Sequence, residues 1–546
     1  MTRTPWWQSA VIYQIYPRSF QDSNGDGVGD IPGITSRLSY LVDLGIDAIW
    51  ISPIFLSPMK DFGYDISDYT AIDPIFGTLN DFDELLLAAH SHGLKVLLDF
   101  VPNHTSDQHP WFVASNSSRT DPKRDWYIWR DPASDGGPPN NWLSEFGGSA
   151  WEFDGRSGQY YYHAFLSSQP DLNWRNPDVV SAMQEVLRFW LRKGVDGFRV
   201  DVIWHLIKDD QFRDNPINPD YQEGKPPHQR LVPAYTADRP EVLDVVAGLR
   251  RVIDEFDDRL LIGEIYLPIE RLVAYYGRNL DGTHLPFNFS LLDTPWTAQD
   301  IAELIHQYEA ALPAGGWPNW VLSNHDRPRI AGRVGPGQAA VAAMLLLTLR
   351  GTPTIYYGDE IGMPQTVIPD HQVRDPFEKN VPGIGIGRDG SRTPMQWDTT
   401  KNAGFSTAQP WLPLAERAIS TNVENLRQEP RSILNLYKRL IAARRANTAL
   451  TLGSYTPHMI GEGLLIYTRQ FNEKRVLVIL NLTPADSVVT FPDNCTVGNV
   501  LVSASGDRDH EATSGTVIVR GDEGLVIDLV DVGHVSSVEI SSREPH

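Results

Sequence analysis

A chain of 546 residues is longer than one compact core organises, which sets the expectation at two or three domains. With 41% hydrophobic residues and a net charge of −22, it reads as an ordinary globular protein with no nucleic-acid footprint and no attraction to an anionic membrane surface. Its ligands are expected to be neutral or cationic, and its single cysteine excludes an internal disulfide.

At the N-terminus, MTRTPWWQSAVIYQ has no apolar leader core, and no stretch approaches about 18 uninterrupted apolar residues, so a cytoplasmic protein with no membrane partner is expected. The run VIYQIYPRSF, β-branched and aromatic with partial alternation, reads as the first strand. It is followed by DSNGDGVGD, where Asp22, Asn24 and Asp26 alternate as in an EF-hand loop. That match fails at its twelfth position, where a bidentate Glu is required and Gly33 stands, and a strand rather than a helix precedes it. The side-chain oxygens of Asp22, Asn24, Asp26 and Asp30 then fit a hard cation that clips a βα connection, or else a solvated acidic turn.

Downstream, IPGITSRLSYLVDLG predicts a helix over 31–44 that stops at Gly45. DAIWISPIF reads as a buried strand. NDFDELLLAAHSHG reads as a helix capped by Asn80 or Asp81 and ended by Gly93, and LKVLLDFVPNH as the next strand. Residues 105–169 break this rhythm with Gly, Pro, Ser, Trp and Tyr, too many for a bare loop, so a small inserted domain is expected there. The pattern resumes with NPDVVSAMQEVLRFWLRKG and VDGFRVDVIWH. Strands near 11, 46, 95, 196, 260, 285, 319 and 353, each fed by a helix, predict a closed (β/α)8 barrel of the α/β class. After a polar stretch and the helix SILNLYKRLIAARRA, the chain ends in short alternating strands. The expected organisation is a barrel over 1–104 and 170–450, the insert over 105–169 after strand three, and an all-β sandwich over 451–546. Cys495, in FPDNCTVGNV, has no basic neighbour and reads as an inert thiol.

Catalytic groups on such a barrel come from the C-terminal ends of strands. Those ends carry Asp99, Asn103 and His104; Arg199 and Asp201; Glu264; and His325 with Asp326. A lone Asp at a strand end is more often a cap or an ion-pair partner, but independent caps have no reason to recur at successive exits. Alternation along GFRVD turns Arg199 and Asp201 to one face, a pairing that favours an ionised Asp201. Glu264 follows an apolar run, so it is either buried with a raised pKa or a cap. Paired carboxylates, with 16 Trp and 20 Tyr as possible sugar-stacking faces and no G-x-S-x-G, H-E-x-x-H or phosphate loop, point to glycoside chemistry.

The blocks DFVPNH (99–104), GFRVD (197–201), GEIY (263–266) and SNHD (323–326) resemble the four motifs of the α-amylase superfamily, glycoside hydrolase family 13. QPDLN (169–173) is similar to the extra block of its oligo-1,6-glucosidase and α-glucosidase branch. The resemblance covers nearly the whole chain. It implies Asp201 as nucleophile, Glu264 as general acid/base and Asp326 as a third, sugar-binding acid, with His104, Arg199 and His325 lining the glucose subsite. In DFGYD, Asp61 and Tyr64 would contact the non-reducing glucose, and Arg392 of SRTPMQW would join Asp61 in closing that end. Phe165 would stack on the sugar. A closed end implies an exo-acting, retaining α-glucosidase that takes small α-glucosides of maltose or isomaltose type, with sucrose among the candidates.

Val202, next to the implied nucleophile, is either ordinary barrel packing or, by the resemblance, the mark of an α-1,6 preference. The segment from Asp209 to Glu241 instead resembles α-glucosidases of narrow, short-substrate preference and would shape the aglycone side. The resemblance also implies a structural calcium, or magnesium, held by Asp22, Asn24, Asp26, Asp30 and the Val28 carbonyl, with no organic cofactor, in a monomer or small homo-oligomer. A glucosyltransferase or sucrose isomerase would share every site residue. A non-catalytic scaffold homologue would lack the acids and carry a membrane helix.

Overall fold

The computed structural model describes residues 4–384, 387–458, 461, 463–491, 498–529 and the backbone of 539–540; Cys495 lies outside the described residues. The barrel strands are β1 (Ile12–Ile15), β2 (Ala48–Ile51), β3 (Lys95–Phe100), β4 (Gly197–Val200), β5 (Leu260–Gly263), β6 (Leu285–Pro286), β7 (Asn319–Val321) and β8 (Thr352–Tyr356). They form one parallel sheet in the order β6-β5-β4-β3-β2-β1-β8-β7, and a parallel bridge from Asn288 to Trp320 closes the seam.

These strands are buried on both faces, which is why they read as continuous apolar runs rather than clean alternation. Period 2 still sorts their side chains. Ile12, Ala48, Trp50, Leu97, Leu260, Ile262 and Val321 fill the barrel interior. Tyr13, Ile49, Val96, Leu98, Phe198, Val200 and Leu261 pack outward against the helices. Each fully buried Leu, Ile or Val contributes about 1.5–3 kcal/mol. Continuing the inward series past the last apolar residue of each strand gives Gln14, Ser52, Asp99, Asp201 and Glu264, so the alternation that builds the core also aims polar groups into the mouth.

Two local expectations are corrected. The helix after the acidic loop divides at Arg37 into Ile31–Ser36 and Leu38–Leu44, and Gly45 ends it in a left-handed turn. The helix Leu79–Ser91 is capped by Thr78, not by Asn80 or Asp81. Asp81 is its N3 residue and completes a capping box with Thr78.

Between β3 and β4, the strands Trp129–Arg130, Trp151–Asp154 and Gln159–Tyr162 form a small antiparallel sheet beside a cluster of Trp142, Trp151 and Tyr162. Bridges from His104 to Asp171 and from Tyr127 to Leu172 draw its two ends together. The C-terminal part carries a five-stranded antiparallel sheet facing a smaller one across Ile466, Ile479, Val489, Val517 and Leu525. The helix Ile330–Thr348 is long and apolar enough to cross a membrane, but most of it is buried in this protein.

Candidate active site

Arg199 is the hub of the strand ends. It can lie inside the barrel because β4 approaches β5 closely at Gly197, where a Cβ would meet the Leu260 carbonyl oxygen at 2.1 Å. The register sets Asp99 beside Arg199. Arg199 Nη1 lies 2.8 Å from Asp99 Oδ1 and 2.7 Å from Asp201 Oδ1, and its Nη2 lies 2.7 Å from Glu264 Oε1. Asp99 Oδ2 accepts from Trp50 Nε1 and Tyr64 Oη.

Three buried carboxyls therefore share one guanidinium, so their titrations are coupled. Burial raises Asp99 to about 6 against the pull of Arg199. Burial and Glu264 raise Asp201 well above the usual carboxylate range, and burial raises Glu264. Arg199 lowers the Asp201 carboxyl, in the direction the pairing along GFRVD leads one to expect, while burial and Glu264 push it up.

Glu264 is held on its other oxygen too. Val202 leaves β4 in the left-handed region, at φ 35° and ψ 44°, an unfavourable conformation for a β-branched residue. In that conformation its N–H donates to Glu264 Oε2 at 2.8 Å.

The opposite wall is built around Asp326. Arg392 Nη2 lies 2.8 Å and Arg388 Nη1 3.4 Å from Asp326 Oδ1, and His325 Nε2 lies 3.1 Å from Oδ2. Although burial opposes it, this surround of His325, Arg392 and Arg388 holds the Asp326 carboxyl well below its ordinary range. His325 stacks on Tyr64 at 5.3 Å, and burial keeps its ring neutral, well below the usual histidine value. Gln14 Nε2 lies 2.8 Å from His325 Nδ1.

Arg392 does not reach Asp61, contrary to the sequence expectation. Arg388 does, with Nη2 at 2.6 Å from Asp61 Oδ1. The same guanidinium is gripped by Asp375, whose Oδ1 accepts from Nη2 at 2.7 Å and from Nε at 3.0 Å. Sequence reasoning passed over both Arg388 and Asp375, and only the acid-base-acid spacing around GRDGSR hinted at them. Asp65 fixes the Asp61 loop by accepting the N–H groups of Lys60 and Asp61.

The inserted domain supplies the roof. His104 Nε2 faces the Tyr64 carbonyl at 3.0 Å and must carry the ring proton, while Nδ1 faces Asn103 Nδ2. Asn103 is locked by Lys208 and Asp171, a buried pair 2.5 Å apart. Phe165 packs on His104 at 5.2 Å and on His205 at 5.7 Å. Phe146 stacks on Phe377 at 5.1 Å, with the Arg388 guanidinium 5.0 Å from its ring.

The loop at 22–30 leaves β1 on the same side. Asp22 accepts N–H groups from Asn24, Gly25 and Gly27, Asn24 accepts from Asp26, and Asp26 from Val28. Asp30 caps the next helix through the Gly33 N–H at 2.6 Å. A side chain at Gly33 would meet the Gln21 carbonyl oxygen at 2.0 Å, so no glutamate could stand there. Asp22 also accepts from Ser406 at 2.6 Å. The donors are all oxygens, which suits a hard cation in kind, although among the described residues no three Asp, Glu, His or Cys side chains are gathered as a preformed metal cluster.

The family model for the alpha-amylase catalytic domain matches residues 14–453. A probable alpha-glucosidase of Rhizobium meliloti (strain 1021) is 44% identical over 502 residues, which are 89% of this chain and 91% of that protein. The oligo-1,6-glucosidase of Heyndrickxia coagulans is 40% identical, across 90% of this chain and 94% of its own length. Among solved structures, the alpha-glucosyl transfer enzyme XgtA superposes with a TM-score of 0.91 at 40% identity, covering 97% of this chain and all of that one.

Proposed function

The chain belongs to the α-amylase family and is a glycoside hydrolase of its α-glucosidase class; from that premise we propose that it is exo-acting and retaining, releasing glucose from the non-reducing end of short α-glucosides. The observation that carries the exo reading is the Arg388–Asp61 pair, which ties the β8 loop to the β2 loop at one end of the site, the arrangement expected of a site that takes a chain terminus.

In this reading Asp201 attacks the anomeric carbon while Glu264 gives its proton to the departing glycosidic oxygen, leaving a glucosyl-enzyme ester. Glu264, now ionised, takes a proton from water, whose oxygen displaces Asp201 and yields glucose with its original anomeric configuration. Arg199 supports this division of labour, because it brings both carboxyls to one guanidinium, as the short separation of a retaining pair requires. Asp326, held ionised by its two arginines, would stabilise the positive charge that develops on the sugar. Calcium, or magnesium, would be held by Asp22, Asn24, Asp26, Asp30 and the Val28 carbonyl, and would supply only a fixed loop geometry.

A second reading, glucosyl transfer, is favoured by the likeness to a glucosyl transfer enzyme and differs only in the alcohol that replaces water. Product analysis on maltose, isomaltose, sucrose and trehalose, with the first-formed anomer followed by NMR, tests both. First release of β-glucose would overturn the retaining mechanism, and isomerised or elongated products in place of glucose would favour transfer.

A further inference from the structure

One charged pair at the mouth has no part in the chemistry above. Glu145, in the inserted domain, precedes the Phe146 that lies under Arg388. His228, on the 209–241 segment, meets it with Nε2 at 3.0 Å from Glu145 Oε2 and Nδ1 at 3.1 Å from the Glu145 carbonyl oxygen. Both partners are pure acceptors, so both ring nitrogens donate and His228 is an imidazolium in this geometry. The two side chains keep 31% and 19% exposure, so the pair is open to solvent rather than sealed in the core.

Two other titratable groups reach Glu145. Arg327 adjoins Asp326, and His205 lies four residues past Asp201. His205 is buried with no hydrogen-bond partner on Nδ1, and burial lowers its ring to about 4, so it is neutral. Phe165 touches both the His104 ring and the His205 ring, and so marks the passage from the glucose side to the leaving-group side. Beyond it stand a carboxylate and an unpartnered ring nitrogen, groups that suit sugar hydroxyls. We propose that Glu145, anchored by His228, is the specificity-determining residue of the aglycone subsite and accepts hydrogen bonds from the hydroxyls of a sugar leaving group.

The inference rests on the α-glucosidase reading. Electrostatics agree with it: against burial, His228, His205 and Arg327 hold the Glu145 carboxyl below its ordinary value. Burial and Arg327 oppose the charge on His228, yet Glu145 raises its pKa overall.

The test is steady-state kinetics on maltose and on p-nitrophenyl α-glucoside, whose aryl group offers no hydroxyls to that wall. Loss of a charged acceptor in Glu145→Ala should raise KM for maltose about tenfold or more, against about twofold for the aryl glucoside, and the isosteric Glu145→Gln should follow the same order. In the wild type the maltose KM should rise as pH climbs through the His228 titration, whereas in His228→Gln it should start high and stay flat. Equal KM changes on both substrates, or an unmoved maltose KM, would overturn the assignment. A wild-type enzyme that releases glucose from neither substrate would instead overturn the parent reading, and this proposal with it.

Discussion

Arg388 and Asp61 meet at 2.6 Å at the mouth of the barrel, joining the loop after β8 to the loop after β2. Removing this bond in Arg388→Ala should open the closed end. The expected result is a loss of about 100-fold in kcat/KM on maltose, the scale of a buried charge-assisted contact, with maltose as well as glucose appearing from maltotetraose. Chromatography of early products checks it, and exclusive glucose release at an undiminished rate would remove Arg388 from the pocket wall.

Asp201→Asn should leave the far-ultraviolet circular dichroism unchanged and lower turnover by at least about a thousandfold, as loss of a covalent nucleophile does. Arg199→Met makes a contrasting prediction: it strands three buried carboxyls, and breaking such a cluster costs about 3–5 kcal/mol of stability. Denaturant unfolding separates the two cases. Appreciable turnover by clean Asp201→Asn protein would end the nucleophile assignment.

The acid limb of the pH profile should lie high. In the proposed mechanism Asp201 must be ionised to attack, and burial together with Glu264 raises its carboxyl, so kcat/KM should fall away on the acid side at a higher pH than an ordinary carboxylate near 3.8 would set. Stability moves the opposite way for Asp99, which ionises at about 6 when folded, against 3.8 ordinarily. Between those values the folded state holds a proton that the unfolded chain has released, so this contribution is present below pH 4 and is lost as pH rises to 6. An enzyme fully active at pH 4 would contradict the first expectation.

Chelation should act on stability before chemistry. If the 22–30 loop holds a cation, EDTA should lower the melting temperature by several degrees while initial rates at low temperature stay near normal. Asp26→Ala should mimic it, because Asp26 is exposed and its loss breaks only a local turn. An unchanged melting temperature in both experiments would leave these residues as a turn alone.

Lys208 offers a test of the roof. Lys208→Met removes the partner of buried Asp171 and frees Asn103, so a loss of about 3–5 kcal/mol is expected, together with weaker glucose binding through His104. Adding Asp171→Asn should recover part of the stability, since it removes the stranded charge.

The barrel was legible because its signal is repeated: eight apolar runs, each followed by a helix, leave little choice of architecture. Alternation along GFRVD put Arg199 and Asp201 on one face, and they lie 2.7 Å apart. What escaped the sequence was selection among near-equivalents. Arg388 and Arg392 stand four residues apart on one turn, and both reach Asp326. The choice of Arg388 for Asp61 is made by Asp375, 13 residues upstream, which grips its guanidinium. Thr78 outcompeted Asn80 and Asp81 as a cap because the chain enters that helix two residues earlier than its apolar pattern suggests. Glu145 and His228 are 83 residues apart, with no local pattern to join them.

Sharing one guanidinium among Asp99, Asp201 and Glu264 also limits how this enzyme can be retuned. In the proposed mechanism, a substitution aimed at the proton affinity of Asp201 alters the same cation that steadies Glu264, so the two limbs of the activity profile should move together. Asp99 shares that cation but has no assigned part in bond-making. An engineer seeking a shifted working pH has in Asp99, and in the Trp50 donor behind it, a dial one step back from the reacting atoms.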